Sequence, residues 1–159
     1  MTISLLAVDS FSKSPIVILK EIDGERMLPI WIGVFEAQAI ASEMEGISHP
    51  RPMTHDLLKN ILETLDVIVS RIEICDLQNN TYYAMIYIDH KGKEYTIDAR
   101  PSDAIALSLR VGAPIFAEDE VISKSKQIDL QSEAEDKTEE GKKWQEILEK
   151  MDPDDFGNT

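Results

Sequence analysis

The chain has few of the residues and segments that specify covalent cross-links, export or membrane insertion. It contains one cysteine, Cys75, in 159 residues, so no disulfide can form within it. No apolar run approaches the length that crosses a bilayer, and residues 1–9 lack the basic start of a secretory signal. These absences predict a cytoplasmic protein with no membrane partner and a core that folds without disulfides or structural metals.

Positive charge is also scarce. The chain has a net charge of −14, and residues 1–125 hold 11 Lys and Arg against 19 Asp and Glu, a net charge of −8. Sequence-independent binding of nucleic acid depends on cations that neutralise phosphates, so this balance argues against a general nucleic-acid coat protein. It remains compatible with an enzyme that grips a few nucleotides locally.

The composition changes near residue 125, which predicts one domain over residues 1–125 followed by an extension over residues 126–159. The extension carries 5 Lys and Arg against 11 Asp and Glu, a net charge of −6. It begins as a polar, charged stretch that predicts an acidic linker. Its apolar residues Trp144, Ile147, Leu148 and Met151 then recur at helical spacing. This spacing predicts a short C-terminal helix that docks on the domain or contacts another subunit, which makes a homo-oligomer one expected arrangement.

A strand-to-helix unit occurs twice in the sequence. In the second copy, the β-prone residues 95–97 run into a helix that Pro101 can start, with Arg100 as its N-cap and Asp103 as its third residue. The first copy, residues 28–41, aligns so that Gly33 matches Arg100 and Glu36 matches Asp103. Each copy follows a glycine-containing turn. We therefore expect a duplicated hairpin–strand–helix unit, folded about a pseudo-twofold axis that brings Glu36 close to Asp103.

The remaining elements predict an α+β fold with a largely antiparallel sheet and a C-terminal helical tail. Strands are expected near residues 2–9, 15–20, 67–77, 82–88 and 95–98. Thr54 is expected to cap an amphipathic helix that carries Leu57, Leu58, Ile61, Leu62 and Leu65.

Three motifs resemble the bifunctional nuclease family, over roughly residues 1–123. They are residues 28–37, residues 51–57 and residues 98–107. The ending, residues 151–157, is similar to a tail of bacterial members. The resemblance implies a nuclease that cleaves RNA and DNA, single-stranded or duplex, with help from a divalent cation, Mg²⁺ or Mn²⁺.

Phosphodiester hydrolysis needs an activated water, a counter-charge for the transition state and help for the leaving oxygen. Acidic side chains can hold the metal, a histidine can move the proton and arginines can clamp the phosphate. The candidate metal ligands are Glu36, Asp98 and Asp103. The candidate catalytic residues are His55, Asp56, Asp98, Arg100 and Asp103, and the candidate substrate-binding residues are Arg51, Arg100 and Ser102.

Structural roles account for the same residues. Glu36 and Asp103, as third helical residues, can simply accept backbone N–H bonds, and Asp98 can pair with Arg100 to orient the turn. The alternative function is therefore a non-catalytic interaction or regulatory module, in which the polar turn is structural and the acidic tail recruits partners.

Overall fold

The computed structural model describes residues 1–9 and 12–126, so the predicted linker and C-terminal helix beyond residue 126 lie outside the described residues. The described residues form seven strands: β1 (Thr2–Val8), β2 (Pro15–Lys20), β3 (Met27–Trp31), β4 (Val67–Gln78), β5 (Thr81–His90), β6 (Lys93–Ala99) and β7 (Ile115–Ala117). The complete helices are α1 (Val34–Met44), α2 (Thr54–Thr64) and α3 (Pro101–Val111), and residues 119–126 are also helical.

The strands form two sheets, which confirms the α+β class. The first sheet has the order β1-β2-β3 and is antiparallel throughout. The second has the order β6-β5-β4-β7, and β7 runs parallel to β4. The parallel strand follows from the connection that precedes it, because α3 carries the chain across the sheet between β6 and β7.

The duplication predicted from the sequence is confirmed. Each copy is a three-stranded antiparallel meander followed by a helix, β1-β2-β3-α1 in the first repeat and β4-β5-β6-α3 in the second. Helices α1 and α3 contact each other directly. Pro101 is the first residue of α3, and Gly112 ends that helix in the left-handed conformation at φ 69°.

One apolar core joins the two repeats, with α3 at its centre. Three residues of α1 are buried, against eight of the eleven residues of α3. The core side chains come from both sheets and both helices: Val17, Leu19, Leu28, Ile30, Ile40, Ile72, Ile74, Ile86, Ile105 and Leu107. The start of α3 is thereby fixed against the start of α1.

Helix α2 differs from the prediction at its start, and it exposes most of its apolar side chains to solvent. Its N-cap is Met53 rather than Thr54, and the Asp56 carboxylate accepts a hydrogen bond from the Met53 N–H at 2.9 Å. The buried residue of α2 is His55, while Leu62 packs against the core. Most of its apolar side chains face solvent, with exposed fractions of 53% for Leu57, 36% for Leu58, 47% for Ile61 and 57% for Leu65.

Within residues 1–9 and 12–126, every helix is too short or too polar to cross a membrane.

Candidate functional site

The starts of α1 and α3 meet at the guanidinium of Arg100. Its Nη2 lies 2.8 Å from Oε1 of Glu36, and its Nε donates to Oδ2 of Asp103 at 2.8 Å. Each of these acids is the third residue of its helix, as the alignment of the repeats predicted. The expectation that the two carboxylates lie close together is therefore confirmed, and a single arginine joins them.

The charges at this point reinforce one another. Hydrogen bonds and charge attraction from Asp103, and then from Glu36, raise the pKa of Arg100 above its ordinary value. Burial acts to raise the pKa of Asp103, but hydrogen bonds from Arg100 and His55 outweigh it, so this pKa lies below its usual range. Asp103 is thus held as a carboxylate, although it is largely shielded from water.

His55 extends the group from α2. Its Nε2 lies 3.0 Å from Oδ1 of Asp103, and its side chain is 11% exposed. The two oxygens of Asp103 are therefore used by different partners, His55 on one and Arg100 on the other. We call the four residues Glu36, Arg100, Asp103 and His55 the acid–base cluster.

A second ion pair fixes α2 beside the acid–base cluster. Arg110, with 4% of its side chain exposed, donates from Nε to Oδ1 of Asp56 at 2.7 Å. It also donates to the carbonyl oxygens of Ala106 at 2.9 Å and Ala39 at 3.1 Å. The hydrogen bond from Arg110 is the main cause that lowers the pKa of Asp56. One buried guanidinium therefore joins all three helices, and Asp56 has a structural role in this arrangement.

Sequence reasoning missed Arg110. A basic residue in the last turn of a helix is ordinarily explained by the helix dipole, so the residue carried no separate signal. Its partner Asp56 lies 54 positions away, and no local spacing connects the two. The apolar neighbours of Arg110 in α3 are the available clue, because they place it on a helix that is buried almost all round.

Gly33 gives Glu36 its position. A Cβ at residue 33 would overlap the carboxylate of Glu36, which folds back toward the start of α1. Gly33 is the N-cap of α1, just as Arg100 is the N-cap of α3. At equivalent positions, the first repeat therefore leaves space for the Glu36 carboxylate, and the second repeat supplies the Arg100 side chain that binds it.

Asp98 does not join the acid–base cluster. It pairs across the sheet with Met85, whereas the neighbouring Ala84 and Ile86 point into the core. Because directly opposed residues share a face of the sheet, Asp98 points away from α3. There its charge adds to burial, the larger cause, in raising the pKa of the Cys75 thiol.

The two remaining predicted residues are also outside the set of contacts. Arg51 is exposed and forms no hydrogen bond or ion pair with the described residues. Ser102 is buried at the second position of α3, next to Asp103 in the chain. Neither side chain forms a hydrogen bond or ion pair with the acid–base cluster in the part of the chain that the structure describes.

The predicted metal ligands Glu36, Asp98 and Asp103 are not assembled. Across residues 1–9 and 12–126, no group of three or more His, Cys, Asp and Glu side chains is arranged to hold a metal ion. Arg100 already neutralises Glu36 and Asp103, and Asp98 lies on the opposite face of the sheet. In this arrangement the residues do not fit a Mg²⁺ or Mn²⁺ site, which needs several oxygen ligands around one cation.

Fold and site together define an α+β protein made of two meander–helix repeats, with a charged cluster where the helices begin. The family model described as bifunctional nuclease domain matches residues 17–129, which include all three sequence motifs. The chain belongs to the bifunctional nuclease domain family.

Relatives support the same assignment. An uncharacterized protein of Mycobacterium tuberculosis (strain CDC 1551) is 38% identical, and the match covers 97% of this chain and 95% of that protein. Bifunctional nuclease 1 of Oryza sativa subsp. indica is 27% identical over 67% of this chain and 33% of its own length. Bifunctional nuclease 1 of Arabidopsis thaliana is 24% identical over 66% of this chain and 34% of its own length.

Proposed function

We propose that this protein is a nuclease that hydrolyses phosphodiester bonds in RNA and DNA at the acid–base cluster. Family membership and the names of the plant relatives support the reaction class. The observation that carries the choice of site is the sharing of Asp103, whose two oxygens bind an imidazole and an exposed guanidinium. A proton-transfer group thus lies next to a group that can bind phosphate.

His55 is the proposed proton-transfer residue. A histidine can take a proton from the attacking water or give one to the leaving oxygen. Asp103 fixes the orientation of the ring through Nε2, as a carboxylate does for the histidine of other hydrolytic sites. The lowered pKa of Asp103 keeps this carboxylate ionised.

Arg100 is the proposed phosphate-binding residue. Its side chain is 66% exposed, and its Nη1 forms no hydrogen bond with the described residues. Nε and Nη2 are held by Asp103 and Glu36, which leaves the Nη1 edge of the planar guanidinium for a phosphate oxygen. Charge-assisted hydrogen bonds from this edge would stabilise the negative charge that builds up in the transition state.

The proposal is tested by hydrolysis assays with the purified chain. Single-stranded and duplex RNA and DNA are incubated in Mg²⁺, in Mn²⁺ and in EDTA, so that the divalent metal expected from the resemblance is measured directly. His55→Gln should lower turnover by about 10²- to 10⁴-fold. Arg100→Lys should also lower turnover, because lysine keeps the charge and loses the planar fork.

Matched controls lie away from the acid–base cluster. His90→Gln makes the same substitution at the far end of β5, and Arg26→Lys alters an arginine that pairs with Glu21 and Asp119. Both should cleave at parental rates. If His55→Gln and Arg100→Lys also cleave at parental rates, or lose activity only by unfolding, the nuclease site is placed wrongly.

A non-catalytic module is the second candidate. The observation in its favour is that each carboxylate of the site is already paired with an arginine of the same chain, Glu36 and Asp103 with Arg100 and Asp56 with Arg110. A network in which every carboxylate has an arginine partner would have the structural role of fixing the three helices relative to one another. A parent protein that leaves every substrate intact in Mg²⁺, in Mn²⁺ and in EDTA would favour the non-catalytic module.

A further inference from the structure

The solvent-facing side of α2 is unusually apolar. Leu57, Leu58, Ile61 and Leu65 form what we call the α2 ridge, and each is more than a third exposed. The opposite side of the helix is held by polar contacts, His55 with Asp103 and Asp56 with Arg110. Contiguous exposed apolar surface on a soluble protein marks an interaction site. The α2 ridge therefore needs an occupant.

We propose that residues 144–151 of the same chain dock on the α2 ridge as a helix antiparallel to α2. The described chain ends at Lys126, and 33 residues follow it. The intervening residues 127–143 can span up to roughly 55 Å when extended. A domain of this size is only about 36 Å across, so the tail can reach any part of its surface.

The dimensions of the two segments agree. Trp144, Ile147, Leu148 and Met151 fall at positions i, i+3, i+4 and i+7, which form one stripe on a helix. That stripe is about 10 Å long, and the α2 ridge, from Leu57 to Leu65, is about 12 Å long. Two apolar stripes of matching length can cover each other along their whole extent.

The charges select the antiparallel orientation. Lys142 and Lys143 precede the tail stripe, and Asp152, Asp154 and Asp155 follow it. On the domain, the exposed Arg51 precedes α2, whereas Glu63 and Asp66 lie at its C-terminal end. Antiparallel docking brings the two lysines to Glu63 and Asp66, and the three aspartates to Arg51.

The helix dipole adds to this preference, because the aspartates then lie at the positive N-terminus of α2. Parallel docking would bring together charges of like sign at both ends. The proposal does not depend on the nuclease function, since it uses the face of α2 that points away from the acid–base cluster.

The chain contains two tryptophans, which permits a direct test on the full-length protein. In a Trp31→Phe parent, Trp144 is the only tryptophan, and docking should shift its emission to the blue and protect it from acrylamide. Ile61→Asp in this parent should shift the emission to the red and increase quenching several-fold. Ile22→Asp, an exposed isoleucine in the turn before β3, is the matched control and should leave both unchanged.

Three further variants address stability and orientation. Leu148→Asp lies outside the domain and should give the same red shift as Ile61→Asp without any effect on the core. Glu63→Lys should weaken docking, and Lys142→Glu with Lys143→Glu should restore it. Restoration by the charge swap supports the antiparallel orientation.

Two outcomes would overturn the proposal. Trp144 emission that is already that of a free side chain in the parent, and unchanged by Ile61→Asp, would show that the tail leaves the α2 ridge bare. Shielding that vanishes on dilution, together with a dimer mass by light scattering, would assign the occupant to a second copy of the chain.

Discussion

The two repeats share one design, yet they make different contributions to the site. The first has a glycine at the helix N-cap and a helix that buries three residues, and the second has an arginine there and a helix that buries eight. Both offer a carboxylate at the third helical position, and both carboxylates bind the arginine of the second repeat. Duplication thus supplies two equivalent acids. The cluster is asymmetric because the N-cap is glycine in the first repeat and arginine in the second.

The largest expected effect concerns the two equivalent acids. Asp103 contacts both His55 and Arg100, whereas Glu36 contacts Arg100 alone. Asp103→Asn should therefore lower turnover by about 10²- to 10⁴-fold, the range for loss of oriented proton transfer. Glu36→Gln should cost about tenfold, or roughly 1.4 kcal/mol of barrier. Steady-state cleavage of a labelled oligonucleotide measures both, and equal losses would mean that the repeats contribute symmetrically.

The next effect concerns stability. Arg110 aligns with Glu43 of the first repeat, which is exposed and forms no buried pair. Arg110→Met should lower the free energy of unfolding by about 3 kcal/mol, because Asp56 and two helix carbonyls lose their partner. Glu43→Met should change it by less than about 0.5 kcal/mol. Urea unfolding followed by circular dichroism gives both values. Similar urea midpoints for Arg110→Met and Glu43→Met would refute the role of Arg110 in holding the three helices together.

Low pH should lower the free energy of unfolding by weakening the contacts of the second repeat and of α2. Asp103 and Asp56 have folded-state pKa values below their ordinary values. Their contribution to stability is complete above the unfolded pKa of about 4, and it disappears as the pH falls through the lower folded pKa. Urea midpoints at pH 6 and pH 3 should differ more in the parent than in Asp103→Asn. An identical difference in both proteins would show that this carboxylate is not linked to folding.

The smallest expected effect tests the space that Gly33 leaves. Gly33→Ala should displace the Glu36 carboxylate and lower turnover only about as much as Glu36→Gln, with unfolding changed by about 0.5 kcal/mol or less. Gly24→Ala is a close control, because a Cβ there would overlap the carboxylate of Glu21 in the same way. Its activity should be that of the parent. If both variants lose activity equally, the effect arises from backbone change rather than from Glu36.

Local sequence signals predicted the elements and the shared site of the two repeats. Proline at position 101 and an acid at the third helical position each act within one turn of the chain, so they could be recognised without knowledge of the fold. The alignment of Gly33 with Arg100 then placed Glu36 near Asp103, and the structure confirms it. The strand β7 was missed because it has only three residues and no turn of its own.

Periodicity could not show which side of α2 is buried. Its leucines and isoleucine predict an amphipathic helix, and a helix of this kind ordinarily packs its apolar side inward. Here α2 is held by His55 and Asp56, whose partners Asp103 and Arg110 are 48 and 54 positions away. The direction of Asp98 was equally hidden, because the pairing of Met85 with Asp98 decides which face of the sheet it occupies.

The balance of charge in the site has a consequence for how it can hold a polyanion. Arg100 and Arg110 face three carboxylates, Glu36, Asp56 and Asp103, so the formal charge is −1 when His55 is neutral. A nucleic acid bound through Arg100 would release only about one condensed counterion. Its affinity should then fall with a log–log salt slope of about −1. Such a site should favour contact with a single phosphate, and its binding should persist at ionic strengths that dissociate proteins bound through long basic surfaces.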